Sequence, residues 1–182
     1  LLAEAGFPDG RDAKTGKPLA INYDYYAPAT PERKPEIDWV VRQFAKLGIQ
    51  LEVRATDNNQ FQDKVRKGNY QVFWLGWLAD YPDAENFNFL LYGPNAKTKF
   101  DGENTANYAN AEYDALFSTM KTLEDGPEKQ AVIDRMNVIV QQDAPWSFGY
   151  FPYSSGAAQS WVHNYQPAVL IRDTGKYLRL DI

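Results

Sequence analysis

Apolar and polar residues change between strand and helix spacing along the first third of the chain. Residues 19–25 have the composition of a strand, and residues 49–53 alternate apolar with polar side chains as a half-exposed strand does. Between them an amphipathic helix is predicted, ended by Gly48, with Ile37, Phe44 and Leu47 facing the core. The apolar positions of this helix are Ile37, Val40, Val41, Phe44 and Leu47.

The next apolar segment is longer and nearly continuous. A short helix is predicted from about residue 59 to residue 67, and YQVFWLGWLAD follows at residues 70–80. This segment is short for a buried helix and rich in strand formers, so residues 70–78 are predicted to form an interior strand. The alternating order of strands and helices predicts an α/β fold in which helices cover a mixed β-sheet.

Two later segments have apolar residues on one helical face and are predicted to be helices that cover the sheet. Asn110 is the expected cap of the first helix, because a short polar side chain accepts hydrogen bonds from the free amides of the first turn. The apolar faces consist of Tyr113, Leu116, Phe117 and Met120 in the first helix and of Val132, Met136, Ile139 and Val140 in the second.

The two ends of the chain have shorter patterns. The start, LLAEAGF, is typical of the end of a helix stopped by Gly6. After Pro145 the pattern predicts strands at residues 147–153 and 168–171, then a last apolar alternation from Tyr177 to Ile182. No internal repeat or linker is evident, so residues 1–182 are expected to form a single domain.

Composition excludes several classes of function. A net charge of −5 without a Lys/Arg-rich run argues against a nucleic-acid partner. The chain has no cysteine and one histidine, His163, which excludes disulfides, thiol catalysis and multi-histidine metal sites. We therefore expect no metal and no cofactor. No apolar run approaches the roughly 18 residues of a membrane span.

The segment GWLADYPDAENF, residues 76–87, carries the most chemistry. Asp80 lies where the predicted strand ends, a common position for ligand sites in α/β sheets, and its carboxylate can pair with a cationic group. By spacing alone, a turn or helix-cap aspartate is the simpler interpretation. Trp74 and Trp77 can form an apolar wall for a ligand, although aromatic residues in such a strand usually belong to the core.

Two other functions use the same residues. Asp80, Asp83 and Glu85 can be imagined as the paired acids of a glycoside hydrolase, which lie about 5–10 Å apart across a sugar. A solvated helix start beside Pro82 explains these acids more simply. The many aromatic residues also suit a sugar-binding surface, and composition does not separate sugar from peptide.

Six segments together resemble one family, the periplasmic dipeptide- and oligopeptide-binding proteins of ABC importers, solute-binding family 5. The resemblance covers nearly the whole chain, and it depends on the common order and spacing of the segments rather than on one motif. The segments are LLAEAGFPDG, FAKLGIQLEV, FQDKVRKGNYQVFWLGWLADYPDAENF, NYANAEYDAL, QQDAPW and YLRLD.

This resemblance implies a periplasmic binding protein type II-like fold and a binding function rather than an enzyme. Members have two lobes that close on a peptide and deliver it to the permease subunits of the importer. They lie in the periplasm, or are lipid-anchored on the outer face of the membrane in Gram-positive bacteria. The chain resembles part of the C-terminal lobe, whose partner is the N-terminal lobe of the same protein.

The resemblance also implies ligand-binding residues. The family's Asp that pairs with the free α-amino group of the ligand corresponds to Asp80, and the adjoining strand, here Gly76, Trp77 and Leu78, offers its backbone to an extended peptide. Some members have an Arg in this strand that meets the ligand carboxylate, whereas this chain has apolar residues at 73–75. Relatives that carry sugars, nickel complexes or haem keep those solutes open as alternatives.

Overall fold

The computed structural model describes residues 1–26, 31–153, 155–166 and 175–181. The chain forms two compact units. The first consists of Leu1–Gly76 and Pro94–Asn107, and the second of Trp77–Gly93 and Tyr108–Ile182. The predicted binding segment, residues 74–80, therefore begins in the first unit and continues in the second.

The first unit contains a parallel sheet whose strands lie in the order β2-β1-β3. The strands are β1, Ala20–Tyr25, β2, Gln50–Ala55, and β3, Val72–Phe73. In the centre of this sheet, Tyr23 pairs with Val53 on one side and with Val72 on the other. The strands predicted at residues 19–25 and 49–53 are confirmed.

The interior strand predicted at residues 70–78 is wrong in length and position. Only Val72 and Phe73 join the ladder, and β3 lies at the edge of the described sheet. Phe73 pairs with Asp24, one residue before β1 ends at Tyr25, so the apolar residues further along have almost no strand to pair with. The apolar run had indicated burial on both faces, yet Leu75 is exposed.

Helix α1, Lys34–Lys46, covers one face of the sheet. Ile37 and Phe44 pack against the buried cluster formed by Tyr23, Tyr25 and Leu51, as predicted. The prediction that Leu47 faces the core is wrong, because the helix ends at Lys46 and the Leu47 side chain is 57% exposed.

Helix α2, Asn58–Lys67, lies against the opposite face. Side chains alternate between the faces of a strand, so Asp24 points away from α1, and its carboxylate pairs with Lys64 of α2. Phe61 of α2 also contacts Phe73 edge to face, at 5.5 Å between ring centres. The helix predicted at residues 59–67 is confirmed, and Asp57 caps its start.

Two glycines of the first unit meet backbone to backbone. Gly48, in the turn between α1 and β2, has a φ of +75°, and a Cβ there would lie 2.5 Å from the carbonyl oxygen of Asp9. Gly10 has a φ of +70°, and its Cβ would lie 2.2 Å from the carbonyl oxygen of Gly48. No side chain fits at either position without moving the main chain.

The second unit is built around helices. They are α3, Glu85–Asn88, α5, Ala111–Met120, and α6, Pro127–Asp143, while α4, Lys97–Phe100, belongs to the first unit. Asn110 caps α5 by accepting hydrogen bonds from the amides of Glu112 and Tyr113, as predicted. Helices α5 and α6 pack against each other, and their predicted role as a cover for the sheet stays a prediction. Their buried apolar residues are Tyr113, Phe117, Met120, Met136, Ile139 and Val140.

The patterns at the chain ends were weaker guides. Residues 2–6 form a turn that ends at Gly6, with a φ of +88°, and the amide of Ala5 donates to the carbonyl oxygen of Leu1 as in the last turn of a helix. Residues 147–153 form no regular strand, since they pair with no strand in the described part of the chain. The strand predicted at residues 168–171 lies outside the described residues.

The last apolar alternation yields a short strand. Strand β5, Arg179–Leu180, pairs antiparallel with β4, Val162–His163. The described strands thus include parallel and antiparallel pairs, but in separate sheets rather than in the single mixed sheet that was predicted.

Candidate functional site

Trp74 and Gly76 belong to the first unit. The Trp74 side chain is half-buried and packs against the cluster of Tyr23, Tyr25 and Leu51, so it contributes to the core beneath the sheet. At Gly76 a Cβ would meet no described heavy atom within 4 Å. The main chain at Gly76 is therefore open within the part of the chain that the structure describes.

Trp77 belongs to the second unit and is held by two contacts. Its indole Nε1 donates a hydrogen bond of 3.3 Å to Oδ1 of Asn86. Its ring meets Phe89 edge to face, with centres 5.5 Å apart and planes at 69°. The indole N–H is thus used within the protein, which leaves the ring as the part of Trp77 that a ligand can contact.

Leu78 and Asp80 are, like Gly76, exposed members of the predicted site. The Leu78 side chain is 82% exposed. The Asp80 side chain is also exposed, and its backbone amide donates a hydrogen bond of 2.8 Å to Oδ1 of Asn86. An exposed carboxylate thus follows an exposed apolar side chain, which suits a ligand with a cationic group and an apolar body.

Asn86 is the residue that sequence reasoning missed. It is 2% exposed, and its single carboxamide oxygen accepts hydrogen bonds from Asp80 and Trp77. In the sequence it stands in a polar stretch at the start of a helix, where an asparagine usually caps or faces solvent. No pattern of spacing distinguishes an asparagine that turns inward.

The other two acids of this segment have structural partners. Asp83 Oδ2 accepts a hydrogen bond of 2.7 Å from Nζ of Lys129, and its Oδ1 accepts one of 2.7 Å from the amide of Glu85. These bonds, the one from Lys129 foremost, lower the pKa of Asp83. Glu85 in turn accepts a hydrogen bond from the Tyr81 hydroxyl. A glycoside hydrolase needs a general acid with a raised pKa, which Asp83 does not provide.

The acids and the single histidine of the described residues form no metal site. Among the described residues, no group of three or more His, Asp or Glu side chains is placed to hold a metal ion. His163 instead lies with Nε2 2.6 Å from Oδ2 of Asp181. Within the same residues, no helix combines the length and apolar character needed to cross a membrane.

Comparison with known proteins identifies the family. Residues 1–99 match the family described as bacterial extracellular solute-binding proteins, family 5 middle, and the chain belongs to this family. Heme-binding protein A of Haemophilus influenzae is 26% identical over 85% of this chain and 28% of its own length. Di/tripeptide-binding protein 4 of Pseudomonas aeruginosa is 24% identical over 76% of this chain and 26% of its own length.

A solved structure shares the fold of this chain. The oligopeptide-binding protein AppA from Bacillus subtilis, in complex with a nonapeptide, matches with a TM-score of 0.76 and 21% identity over 100% of this chain and 36% of that chain. This likeness confirms the predicted α/β, periplasmic binding protein type II-like fold. The chain spans between a quarter and a third of the length of the curated relatives described above.

Proposed function

We propose that the protein containing this chain is the solute-binding component of a bacterial ABC importer that captures peptides and delivers them to the membrane permease. The observation that carries the proposal is the family match over residues 1–99 together with relatives named for peptide binding. These include dipeptide-binding proteins of Pseudomonas aeruginosa and Escherichia coli and an oligopeptide-binding protein of Bacillus subtilis. Such a protein binds its solute without converting it, so it is not an enzyme.

The chain is part of the C-terminal lobe of a longer, two-lobed protein, and residues 1–182 belong to one domain of it. The length of the relatives supports this proposal, and so does the surface of residues 147–153. Phe148, Tyr150, Phe151 and Tyr153 are all exposed there, with Phe151 at 92%. Apolar surface concentrated in this way is typical of a region that another part of the protein covers.

The proposed ligand site is the segment that includes Trp74, Gly76, Trp77, Leu78 and Asp80. The Asp80 carboxylate pairs with the free α-amino group of the peptide, and the main chain of the segment pairs with the extended ligand. Two features support this assignment: the Asp80 side chain is exposed, and the main chain at Gly76 is open. Main-chain pairing holds peptides regardless of their side chains, which gives broad specificity.

The protein works outside the cytoplasm, in the periplasm or anchored by lipid on the outer face of the membrane. The family description, extracellular solute-binding proteins, supports this location. Its partners are the peptide, the N-terminal lobe of the same protein and the permease subunits of the importer. Nucleic acid is not among them.

Haem is the second candidate ligand, because a relative at 26% identity is named a heme-binding protein. A structure from Campylobacter jejuni bound to a nickel–histidine complex, with a TM-score of 0.63, also has this fold. Peptide is the better candidate because several of the curated relatives are named for it. For a glycoside hydrolase, the lowered pKa of Asp83 does not suit the general acid that such an enzyme needs.

The experiment compares Asp80→Asn with the unmodified full-length protein by calorimetry, using peptides with free and with acetylated amino termini. Breaking a desolvated charge pair typically costs about 2–5 kcal/mol, so Asp80→Asn should weaken free peptides at least about tenfold. Acetylated peptides should bind weakly to both proteins and lose little on mutation. Glu124→Gln, another exposed acid of the second unit, is the matched control.

Two results would reject parts of the proposal. If mutation and acetylation weaken binding additively, Asp80 is not the partner of the amine, and it returns to the role of a turn residue. If haem raises the melting temperature of the full-length protein and peptides do not, the second candidate replaces the first.

A further inference from the structure

The carboxamide of Asn86 joins two residues of the proposed site. Oδ1 of Asn86 lies 2.8 Å from the amide nitrogen of Asp80 and 3.3 Å from the indole nitrogen of Trp77. A carbonyl oxygen has two lone pairs, so both bonds can form at once. Because Asn86 is 2% exposed, water does not readily replace either bond.

We infer that Asn86 is a positioning residue for the ligand site. It fixes the main chain at Asp80 and the ring of Trp77, so that the exposed carboxylate is presented in one orientation before a ligand arrives. The inference rests on the proposed function in one respect, that Asp80 meets the ligand's amino group. A site that is already ordered in the free protein loses less conformational entropy when the ligand binds, so the affinity is higher.

Asn86 can act as a fixed point because α3, the helix that carries it, is held at both ends. At its start, the amide of Glu85 donates to Asp83, which is bonded to Lys129 of α6. At its end, the Tyr113 hydroxyl of α5 donates a hydrogen bond of 2.9 Å to the carbonyl oxygen of Asn88. The acceptor oxygen is therefore anchored to both long helices of the second unit.

The hydrogen bond from the Trp77 indole to Asn86 fixes the orientation of the indole ring. Phe89 meets the indole edge to face but places no acceptor on its nitrogen, so Asn86 is the described partner that sets the rotation of the ring. Removing the oxygen releases a side chain and a main-chain amide together, at two positions of the proposed site.

The first experiment measures hydrogen exchange at the Asp80 amide in the full-length protein. Asn86→Leu removes the acceptor, and exchange at Asp80 should become at least about tenfold faster, since the amide loses its bond. Asn86→Asp retains an acceptor oxygen and should keep most of the protection. Val140→Ala, a buried change in α6, serves as a control matched for global stability. Equal protection of Asp80 in Asn86→Leu and in this control would overturn the inference.

The second experiment asks whether Asn86 acts through Asp80. For a peptide with a free amino terminus, Asn86→Leu should weaken binding about tenfold in the otherwise unchanged protein, the size expected for two lost hydrogen bonds. In the Asp80→Asn protein the same change should weaken binding less than about twofold, because the group being positioned is gone. Equal losses in both proteins would show a merely structural role and reject the inference.

The two experiments also separate this inference from the proposed function. If free and acetylated peptides bind the unchanged protein equally, the proposed amine contact has failed, and exchange at the Asp80 amide then decides the role of Asn86. If binding depends on the amine but the losses of affinity caused by Asn86→Leu and Asp80→Asn are additive, the proposed function stands and the positioning role of Asn86 is rejected.

Discussion

Lys129, in the first turn of α6, places its Nζ 2.7 Å from Oδ2 of Asp83, in the turn before α3. The lysine is nearly buried and also lies 2.9 Å from Asp125. Hydrogen bonds that Lys129 donates to the carboxylates of Asp125 and Asp83 raise the pKa of Lys129 above its ordinary value, so the lysine is a cation at neutral pH. The turn that leads from Asp80 into α3 is thus tied to a long helix by charge.

Lys129→Met should lower the melting temperature at pH 7, and the loss should depend on pH. Lys129 lowers the pKa of Asp83, so its stabilisation is present above the unfolded-state pKa and is lost as the pH falls through the folded value. The difference between the two proteins should be full at pH 7 and shrink below about pH 4. Thermal melts from pH 7 down to about pH 2 measure this difference.

Lys121→Met is the matched control, because Lys121 is exposed and its Nζ lies 3.9 Å from Glu85. Its effect should be small at any pH. A loss for Lys129→Met that stays constant down to pH 2 would contradict the role assigned to the Asp83 carboxylate.

Lys64→Met should be strongly destabilising. It removes the cation that pairs with the carboxylate of Asp24, a side chain that is 1% exposed in the central strand. Removing one partner of a buried ion pair lowers the free energy of unfolding by about 3–5 kcal/mol. Urea unfolding measures the loss. Lys67→Met, which breaks an exposed pair with Asp63, should cost less than about 1 kcal/mol.

Replacing both members of the buried pair, as Asp24→Leu with Lys64→Met, should recover part of the stability, since no charge is then buried. A double variant less stable than Lys64→Met alone would show that Asp24 has a further partner in the folded protein.

Gly48→Ala should cost more than Gly16→Ala, although both glycines have positive φ. At Gly16, with a φ of +68°, a Cβ meets no described atom within 4 Å. Alanine there is therefore destabilising only through its left-handed backbone conformation, by about 1–2 kcal/mol. At Gly48 the Cβ also meets the Asp9 carbonyl. Urea unfolding of both variants tests this order. Equal losses of stability would show that the main chain around Gly48 moves away from the new Cβ at little cost in free energy.

The isolated chain should bind peptides far more weakly than the full-length protein. A closed site surrounds most of its ligand, and the chain supplies only part of the walls. Calorimetry on both proteins with one peptide measures the difference. Equal affinities would show that the second lobe contributes little, and would remove closure between lobes as the source of affinity.

Helices were the best predicted elements, because their signals are local. The apolar face of α5 and its Asn110 cap lie within one helix length of each other, so sequence spacing alone reveals them. The alternation of β2 was equally informative, because one of its faces is buried.

Strands that depend on distant partners were predicted poorly. The aromatic run beginning at Tyr70 has the composition of a central strand, but ladder pairing ends where β1 ends, which no local pattern reveals. The strand predicted at residues 147–153 is wrong for the same reason, because local composition does not reveal whether a pairing partner exists. At the candidate site, the family resemblance singles out Asp80, whereas the inward turn of Asn86 depends on contacts made only in the folded unit.

The contact between Gly10 and Gly48 limits how this part of the protein can evolve. A large side chain is often tolerated when a neighbour becomes smaller, but here each missing Cβ faces main-chain atoms, which no substitution can shrink. Neither position can therefore be rescued by a change at the other. Among related proteins that keep this turn, we expect both glycines to occur together. We expect both to be replaced only where the loop has a different backbone conformation.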